Sequence, residues 1–526
     1  MSGATKDCPF CGETIKVVAI KCKHCGEFLN TSVAPSPAAL PHAATPITLR
    51  HERVLDLLST LVDKNLVVYE EDASGQGRYR LLETVRQYAR DRLLEDGEAD
   101  HLRRRHADWF LALAQEAEER LEGPEQARWL SLLETDHENF RAALEWSGSL
   151  PTSTPDHLRL ATALSLFWLK HAHFREGLLW LDRALARSAS SAEADLRAKA
   201  LLSASWLASW LGERERERAL IEEAEALFRR LGDRTGISDT LYALGTAAVV
   251  ERDWDTARPL LEQSLTLRRQ LGDTGRIAES LSYLAVVAVE QDDIGAAQAF
   301  LDEGLVLVRM SGDAWAISRQ LHVQAILARR GEDYQSARIF LEEALTLSRE
   351  LGARGWIADT LDLLGYVALA QRDTAGAQSF LEECMAVREE TQQHETAAWA
   401  RLGLGNVAWL REDYDQARSH YVRSLHVFLR LRLTRPLPFV LERFGALAAR
   451  RHQPHRAARL LGAAQARREA TQAPVPEQDR FEYYDGVVAQ IETALGEAAF
   501  ASAWSAGRAM SVEQAVAYAL ETEEEP

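Results

Sequence analysis

The 526-residue sequence is poor in the groups that most enzyme chemistry and membrane insertion require. Beyond Lys64 it holds two lysines, Lys170 and Lys199, and neither sits in a glycine-rich loop. No G-x-x-x-x-G-K-[ST] occurs, so the backbone cradle and lysine that hold nucleotide phosphates are missing. A nucleophile elbow, an H-E-x-x-H pair and a dinucleotide fingerprint are absent too. His101, His106, His171 and His173 fall on expected helices with no cysteine or carboxylate at ligand spacing, so solvated side chains are expected there. No apolar run approaches the roughly 18 residues of a membrane helix. The N-terminus is polar and lacks the apolar core of a signal peptide. These absences lead to the expectation of a non-enzymatic, cytoplasmic protein. The net charge of −18 opposes binding of nucleic acid across the whole surface, though not at a local basic site.

What the sequence does hold is a repeat with a period of 40 residues, running from about residue 160 to 465. One column of small residues is Ala257, Ala297, Ala337, Ala377, Ala417 and Ala457. Nine residues upstream runs a second, Ala248, Ala288, Ala328, Ala368, Ala408 and Ala448. Four residues after the first column the position is large: Leu261, Leu301, Leu341, Leu381, Tyr421 and Leu461. Three further on it is small again, at Ser264, Gly304, Ala344, Cys384, Ser424 and Ala464. Cys384, the one cysteine outside residues 8–25, is therefore expected to be a core residue. A fixed period in this range marks a solenoid, a propeller or an array. Apolar residues at helical spacing, such as Leu241, Leu244 and Ala248, choose helices. Gly232, Gly272, Gly312 and Gly352 stand where a left-handed residue closes a helix. Asp253, Asp293, Asp333, Asp373 and Asp413 stand where a side chain caps the next. Each unit thus reads helix, turn, helix, turn, with Gly245, Gly365, Gly405 and Gly445 expected to face small residues of the second helix.

The set Leu244, Gly245, Ala248, Ala257, Leu261 and Ser264 resembles the tetratricopeptide repeat, lengthened from its usual 34 residues to 40. The resemblance implies a right-handed α-solenoid over residues 151–470, with a helical connector at 101–150 and a helical cap at 471–526. It also implies a concave face lined by the first helix of each unit. The pattern places on that face Trp206, Trp210, Tyr242, Thr246, Val249, Ser282, His322, Ile326, Arg329, Arg330, Asp362, Tyr366, Asn406 and Trp409. Aromatics with an arginine pair suit a protein or peptide partner.

Ahead of the repeats, Cys8-Pro-Phe-Cys11-Gly and Cys22-Lys-His-Cys25-Gly are two matched knuckles within residues 1–30. Four thiolates on two turns suit one closed tetrahedral zinc site, structural rather than catalytic. In so small a segment the metal would supply the folding energy. The segment resembles small bacterial zinc ribbons, which bind nucleic acid or protein. Pro35, Pro37, Pro41 and Pro46 make residues 31–47 an expected linker. Residues 48–100 read as helix, strand, turn, strand, helix, part of a winged helix, although the helix at 52–62 carries Asp56 and leucine-rich faces, with Arg53 alone among the Arg, Asn and Gln side chains that read bases.

The stretches LVDKNLVVYEED, GRYRLLETVRQYARDRL and RAARLLGAAQARREA resemble regions of large bacterial regulators of the signal-transducing ATPase (STAND) type, the MalT-, AfsR- and LuxR-like proteins. That resemblance implies the sensor region of such a regulator, here without a phosphate loop and with a zinc ribbon in front. The functional expectation is a protein-binding adaptor or sensor. The alternatives are a transcriptional regulator touching DNA or polymerase through the ribbon, and a small-molecule sensor.

Overall fold

The computed structural model describes residues 5–7, 14–16, 51–71, 77–150, 155–188, 193–471 and 484–521. They belong to two compact units, Met1–Gly97 and Glu98–Pro526.

In the first unit β1 (Thr5–Asp7) pairs antiparallel with β2 (Thr14–Lys16), Asp7 opposite Thr14. The six residues between these strands include Cys8 and Cys11 in the sequence. All four knuckle cysteines, Cys8, Cys11, Cys22 and Cys25, lie outside the described residues, as does the segment 31–47. Then follow α1 (His51–Asp63), β3 (Val67–Glu71), β4 (Gly77–Leu81) and α2 (Glu83–Glu95), the expected helix, wing and helix. The wing is antiparallel, with Val67 opposite Leu81 and Tyr69 opposite Tyr79. Val67 is buried, whereas Val54, Leu55 and Leu57 of α1 and Tyr88 and Leu94 of α2 are exposed.

The second unit is helical throughout its described residues. It opens with α3 (Ala99–Arg120), α4 (Gln126–Thr135), α5 (His137–Ser149), α6 (Pro155–Ala163), α7 (Ser165–Lys170) and α8 (Phe174–Arg187). Regular helix pairs follow: α9 (Ala194–Trp210) with α10 (Arg214–Leu231), α11 (Arg234–Glu251) with α12 (Trp254–Leu271), and α13 (Thr274–Glu290) with α14 (Ile294–Ser311). Next are α15 (Ala314–Arg330) with α16 (Tyr334–Glu350), and α17 (Arg354–Ala370) with α18 (Thr374–Glu390). The array ends with α19 (His394–Leu410) and α20 (Tyr414–Arg430), then α21 (Leu437–Arg450) and α22 (Pro454–Thr471). Helices α23 (Tyr484–Leu495), α24 (Glu497–Arg508) and α25 (Val512–Leu520) cover its end. There α22 and α24 nearly touch: a Cβ on Gly507 would lie 2.0 Å from the Arg459 carbonyl oxygen.

The turns form as the columns predict. Gly232, Gly272, Gly312 and Gly352 have φ of 67°, 75°, 67° and 65°, the left-handed region. Asp253, Asp293, Asp333, Asp373 and Asp413 each accept a backbone N–H two or three residues into the next helix through the carboxylate. Their own N–H groups donate backward to the carbonyls of Ala248, Ala288, Ala328, Ala368 and Ala408 at 2.8–3.0 Å. The second small column is thus the acceptor of a six-residue closing bond that ends each first helix.

One packing expectation is corrected. Gly245, Gly365, Gly405 and Gly445 do not face the small column; they receive the large one. A Cβ on Gly245 or Gly365 would lie 2.7 or 2.6 Å from the Cγ of Leu261 or Leu381, and one on Gly405 would lie 2.2 Å from the Tyr421 ring. The small column packs instead against backbone of the first helix. Ser264 Oγ donates to Ser238 O at 2.8 Å, Ser424 Oγ to Ala398 O at 2.9 Å, and Cys384 Sγ to Ala358 O at 3.2 Å. Cys384 is fully buried, and burial pushes its thiol up to about 12. Gly405→Ala is therefore expected to drive a methyl into the Tyr421 ring and cost about 1–3 kcal/mol by overpacking. A thermal midpoint equal to wild type would show that the two helices are not held this closely.

Candidate functional site

The second unit closes on itself. Gln126 of α4 donates through Nε2 to Asp313 Oδ1 at 2.8 Å, and its Oε1 accepts the Trp315 N–H at 3.3 Å. Lys170, at the end of α7, is 2% exposed; its Nζ donates to Leu121 O at 2.6 Å and lies 5.4 Å over the Trp315 ring. Phe174 stacks on Trp210, centroids 5.2 Å apart, and both flank Gly355 at 3.3 Å from where its Cβ would stand. The helices before the array thus meet the starts of α15 and α17, and one hydrophobic core joins them to Leu351 and Ala353. Burial pulls the ordinary value of the Lys170 ammonium down, opposed by the nearby carboxylates of Asp313 and Glu122.

Closure changes what the expected concave residues do. Trp210 is spent in the stack with Phe174, and Trp206 leans on Tyr242 with centroids 5.6 Å apart. Tyr242 is buried, with the Arg268 guanidinium 4.2 Å over its ring. Thr246 bonds its own helix at Ala243 O, and Ser282 is buried and donates to Ala278 O and to Gln320 Oε1. Val249 and Ile326 pack among neighbouring apolar side chains. Asn406 is buried and accepts the Tyr421 hydroxyl at 3.0 Å; Trp409 is buried edge-on against Tyr414. These side chains pack because adjacent first helices approach closely enough to bury the positions between them. His322, Arg329, Arg330, Asp362 and Tyr366, on α15 and α17, stay half-buried as whole residues, although His322 Nδ1 and Asp362 Oδ1 are themselves covered. The His322 ring lies 4.9 Å from Trp356, and Arg330 stands 3.6 Å from Asp292.

A charged column that the sequence reading missed runs one helical turn before Tyr242, Ser282, His322 and Asp362: Asp239, Glu279, Arg319 and Asp359. Its signal was the same 40-residue period, carried by charges on helices otherwise apolar. Arg276 and Arg268 each stand 3.0 Å from an oxygen of Asp239. Arg268 also reaches Glu279 at 3.5 Å, and Glu279 meets Arg319 at 3.2 Å. Burial pushes the Glu279 carboxyl up, but Arg319, Arg268 and Arg276 outweigh it and hold it below its usual value. Arg388 pairs with Asp359 in the same way, 120 residues on from the Arg268–Asp239 pair.

Several buried polar atoms on α15 and α17 have no hydrogen-bond partner: Arg319 Nε and Nη2, His322 Nδ1, Gln324 Oε1 and Asp362 Oδ1. Buried polar atoms are ordinarily paired with protein groups or ordered water, so these atoms are the ones on α15 and α17 left to a partner from outside the helices. Burial also lowers His322 to about 4 and raises Asp362 to about 6.

The histidine expectation is corrected as well. His101 is exposed as expected, and His106 packs on Phe110 at 4.5 Å. His171 and His173, by contrast, converge on a carboxylate from another helix, each 2.9 Å from Glu134 Oε2. The signal was present in E-x-x-H at Glu134–His137 and in H-x-H-x-x-E at His171–Glu176. A separate cavity of about 510 Å³ lies between α20, α21, α22 and α25, with Arg418, Arg423, Arg451 and Arg456 and the carboxylates of Asp415 and Glu521 in its wall.

The shifts at α15 and α17 set a pH dependence. The folded Asp362 titrates above its unfolded value of roughly 3.9. Its contribution is therefore full below pH 4 and is lost as pH rises through about 6. Asp362→Asn should match the wild-type thermal midpoint near pH 4 and exceed it at pH 8, by on the order of 1–3 kcal/mol. His322 has the opposite sign: its contribution is full above about 6.5 and is lost as pH falls toward 4, so His322→Gln should flatten that limb. Melting curves from pH 4 to 8 check both, and an Asp362→Asn midpoint no higher than wild type at pH 8 would contradict the burial of that carboxylate.

The tetratricopeptide repeat family model matches residues 319–390 and 356–430, and the winged helix-turn-helix domain model matches residues 28–94. The second match starts upstream of residue 48 and takes in the segment expected as a linker. Provisionally named HTH-type transcriptional regulators of Mycobacterium tuberculosis and Mycobacterium bovis are 38% identical over 204 residues, covering 37% of this chain and 22% of theirs. The chain thus spans about a fifth of the length of these relatives. Among solved structures, a Rap protein complexed with Competence and Sporulation Factor is similar at 12% identity, covering 63% of this chain and 99% of that one, with a TM-score of 0.44. A STAND protein with a tetratricopeptide repeat sensor from Pyrococcus horikoshii is similar at 12% identity, covering 71% of this chain and 59% of that one, with a TM-score of 0.36. Among the described residues no helix is long and apolar enough to cross a membrane. The chain carries tetratricopeptide repeats and an N-terminal winged-helix domain, and over part of its length it is homologous to HTH-type transcriptional regulators.

Proposed function

We propose that this chain is a regulatory protein whose repeat array binds a partner protein through an exposed segment carrying a carboxylate, received on the inner face at α15 and α17. The observation that supports this reading most directly is the cluster of orphaned buried polar atoms there, above all Arg319 Nε and Nη2. Arg319 is 8% exposed and pairs through Nη1 alone. In the network around it three guanidiniums, Arg268, Arg276 and Arg319, meet three carboxylates, Asp239, Glu279 and, through Arg276, Asp273. A partner carboxylate on Arg319 would occupy its two unpaired nitrogens with the two-pronged geometry that guanidinium favours. Trp356 and the half-buried Tyr366 flank this region and suit the apolar part of such a segment.

The winged-helix domain supports a regulatory setting, and the four N-terminal cysteines suit a structural zinc ribbon as a second contact module, with the β1–β2 hairpin leading into and out of its first knuckle. A second reading, a regulator governed by a small anionic ligand, is favoured by the arginine-lined cavity beside α25.

Tagged full-length protein captured from its own host, with and without nuclease, separates the readings by mass spectrometry. The expected result is a protein partner that survives nuclease and falls at least tenfold for Arg319→Ala combined with His322→Ala. Recovery that depends on nucleic acid, or that is indifferent to those substitutions, would overturn the inner-face reading.

A further inference from the structure

The turn between α4 and α5 and the turn between α7 and α8 meet at a cluster of His and Glu side chains. Glu134 is in the last turn of α4, His137 opens α5, His171 ends α7, and His173 precedes α8. Glu134 Oε2 faces two nitrogens, His171 Nδ1 and His173 Nε2, at 2.9 Å each. Ligand atoms of these three residues lie within 4.8 Å of one another. Donors around a tetrahedral zinc with bonds near 2.0–2.1 Å sit about 3.3 Å apart. The two Glu134–His pairs therefore need to open by only a few tenths of an ångström.

We propose that Glu134, His171 and His173 bind a divalent first-row transition-metal ion, with His137 beside them as a further nitrogen donor. Three independent observations support this assignment. His137 Nε2 is buried and has no hydrogen-bond partner, although its ring lies 4.4 Å from that of His173 and its Nε2 stands 3.4 Å from Glu176. A buried ring nitrogen without a partner is the group a metal would occupy. His171 faces an acceptor on both nitrogens, with Leu351 O 3.2 Å from Nε2. A metal-bound histidine ordinarily donates its other N–H to a backbone carbonyl in this manner, which fixes the ring and its tautomer. His173, finally, stands at the position that Asp253, Asp293, Asp333, Asp373 and Asp413 occupy in later units, with Glu213, which also makes no side-chain cap bond, between them. Those aspartates cap their helices; His173 makes no side-chain cap bond and turns to Glu134 instead. A lost cap costs about 1 kcal/mol, so the departure from the repeat is one that stability alone does not favour.

The neighbouring set His137, His173 and Glu176 also has ligand spacing. Glu176, however, is committed to Arg141, whose Nε donates to Oε1 at 2.6 Å, and it also accepts the Trp180 Nε1 proton. It stands 3.4 Å from the same Nε2 of His137 and would have to yield that nitrogen to an ion. The Glu134 side chain is 46% exposed, which leaves an entry path and a position for water. Since His171 also reaches Leu351, an ion here would brace α4, α7 and the α16–α17 turn, the seam along which the array closes.

The test uses the full chain carrying Cys8→Ser, Cys11→Ser, Cys22→Ser and Cys25→Ser, stripped with chelator and titrated with Co²⁺ and, separately, Zn²⁺. The expected result is one equivalent of Co²⁺ whose spectrum has visible ligand-field bands but no thiolate charge-transfer band, and a thermal midpoint raised by Zn²⁺. Both should weaken at least tenfold in Glu134→Gln with His173→Gln. If that pair fails to fold by circular dichroism, Glu134→Gln alone, at a half-exposed position, carries the same expectation. Absence of the thiolate-independent equivalent, or its retention in the folded variants, would overturn the proposal.

Discussion

Everything in the second unit depends on how closely the two helices of each pair can lie. That distance is set where Gly245, Gly365, Gly405 and Gly445 leave room for a leucine or tyrosine four residues beyond the alanine column. The turn then fixes the phase. The Asp N–H closes onto the alanine carbonyl behind it while the Asp carboxylate caps the helix ahead. One residue, through its backbone N–H and its side chain, thus satisfies groups that both helix ends would otherwise leave open. Because the same bonds recur every 40 residues, small rotations between pairs accumulate in one direction.

Accumulated rotation is what brings Asp313 and Leu351 back to Gln126 and His171. Closure then alters the chemistry of side chains that an open solenoid would leave solvated. Inside an enclosed face, charges interact strongly and unpaired polar groups become costly. That accounts for the linked arginines and carboxylates on α11 to α15 and for the displaced titration of His322 and Asp362.

The repeat was legible because it is local and periodic: caps, left-handed closures and helix boundaries are fixed within a few residues, and the columns expose them. The helix–wing–helix order was legible for the same reason. Contacts across large sequence separations were not. Nothing in His171 and His173 taken alone indicates Glu134, and only the spacing of the two motifs hinted at it. Trp210 and Trp409 read as groove aromatics because a pattern gives the direction of a side chain without saying what will cover it. The glycine columns were found, yet their partners were misread, since a vacancy on one helix is filled by the large residue opposite rather than matched by a small one. The four N-terminal cysteines rest on their spacing alone.

A linked charge network inside a helical array is a poor way to gain stability, because well-packed apolar side chains of similar volume would do as well or better. Under the proposed function its advantage lies in discrimination. An apolar segment placed against Arg319 would leave two guanidinium nitrogens dry and unpaired, at about 1–3 kcal/mol for such a group. A segment that presents a carboxylate avoids that penalty and gains a charge-assisted pair. The same face would thus reject most exposed apolar peptides while accepting a narrow class of acidic ones. That is specificity obtained from the cost of the wrong partner as much as from attraction to the right one.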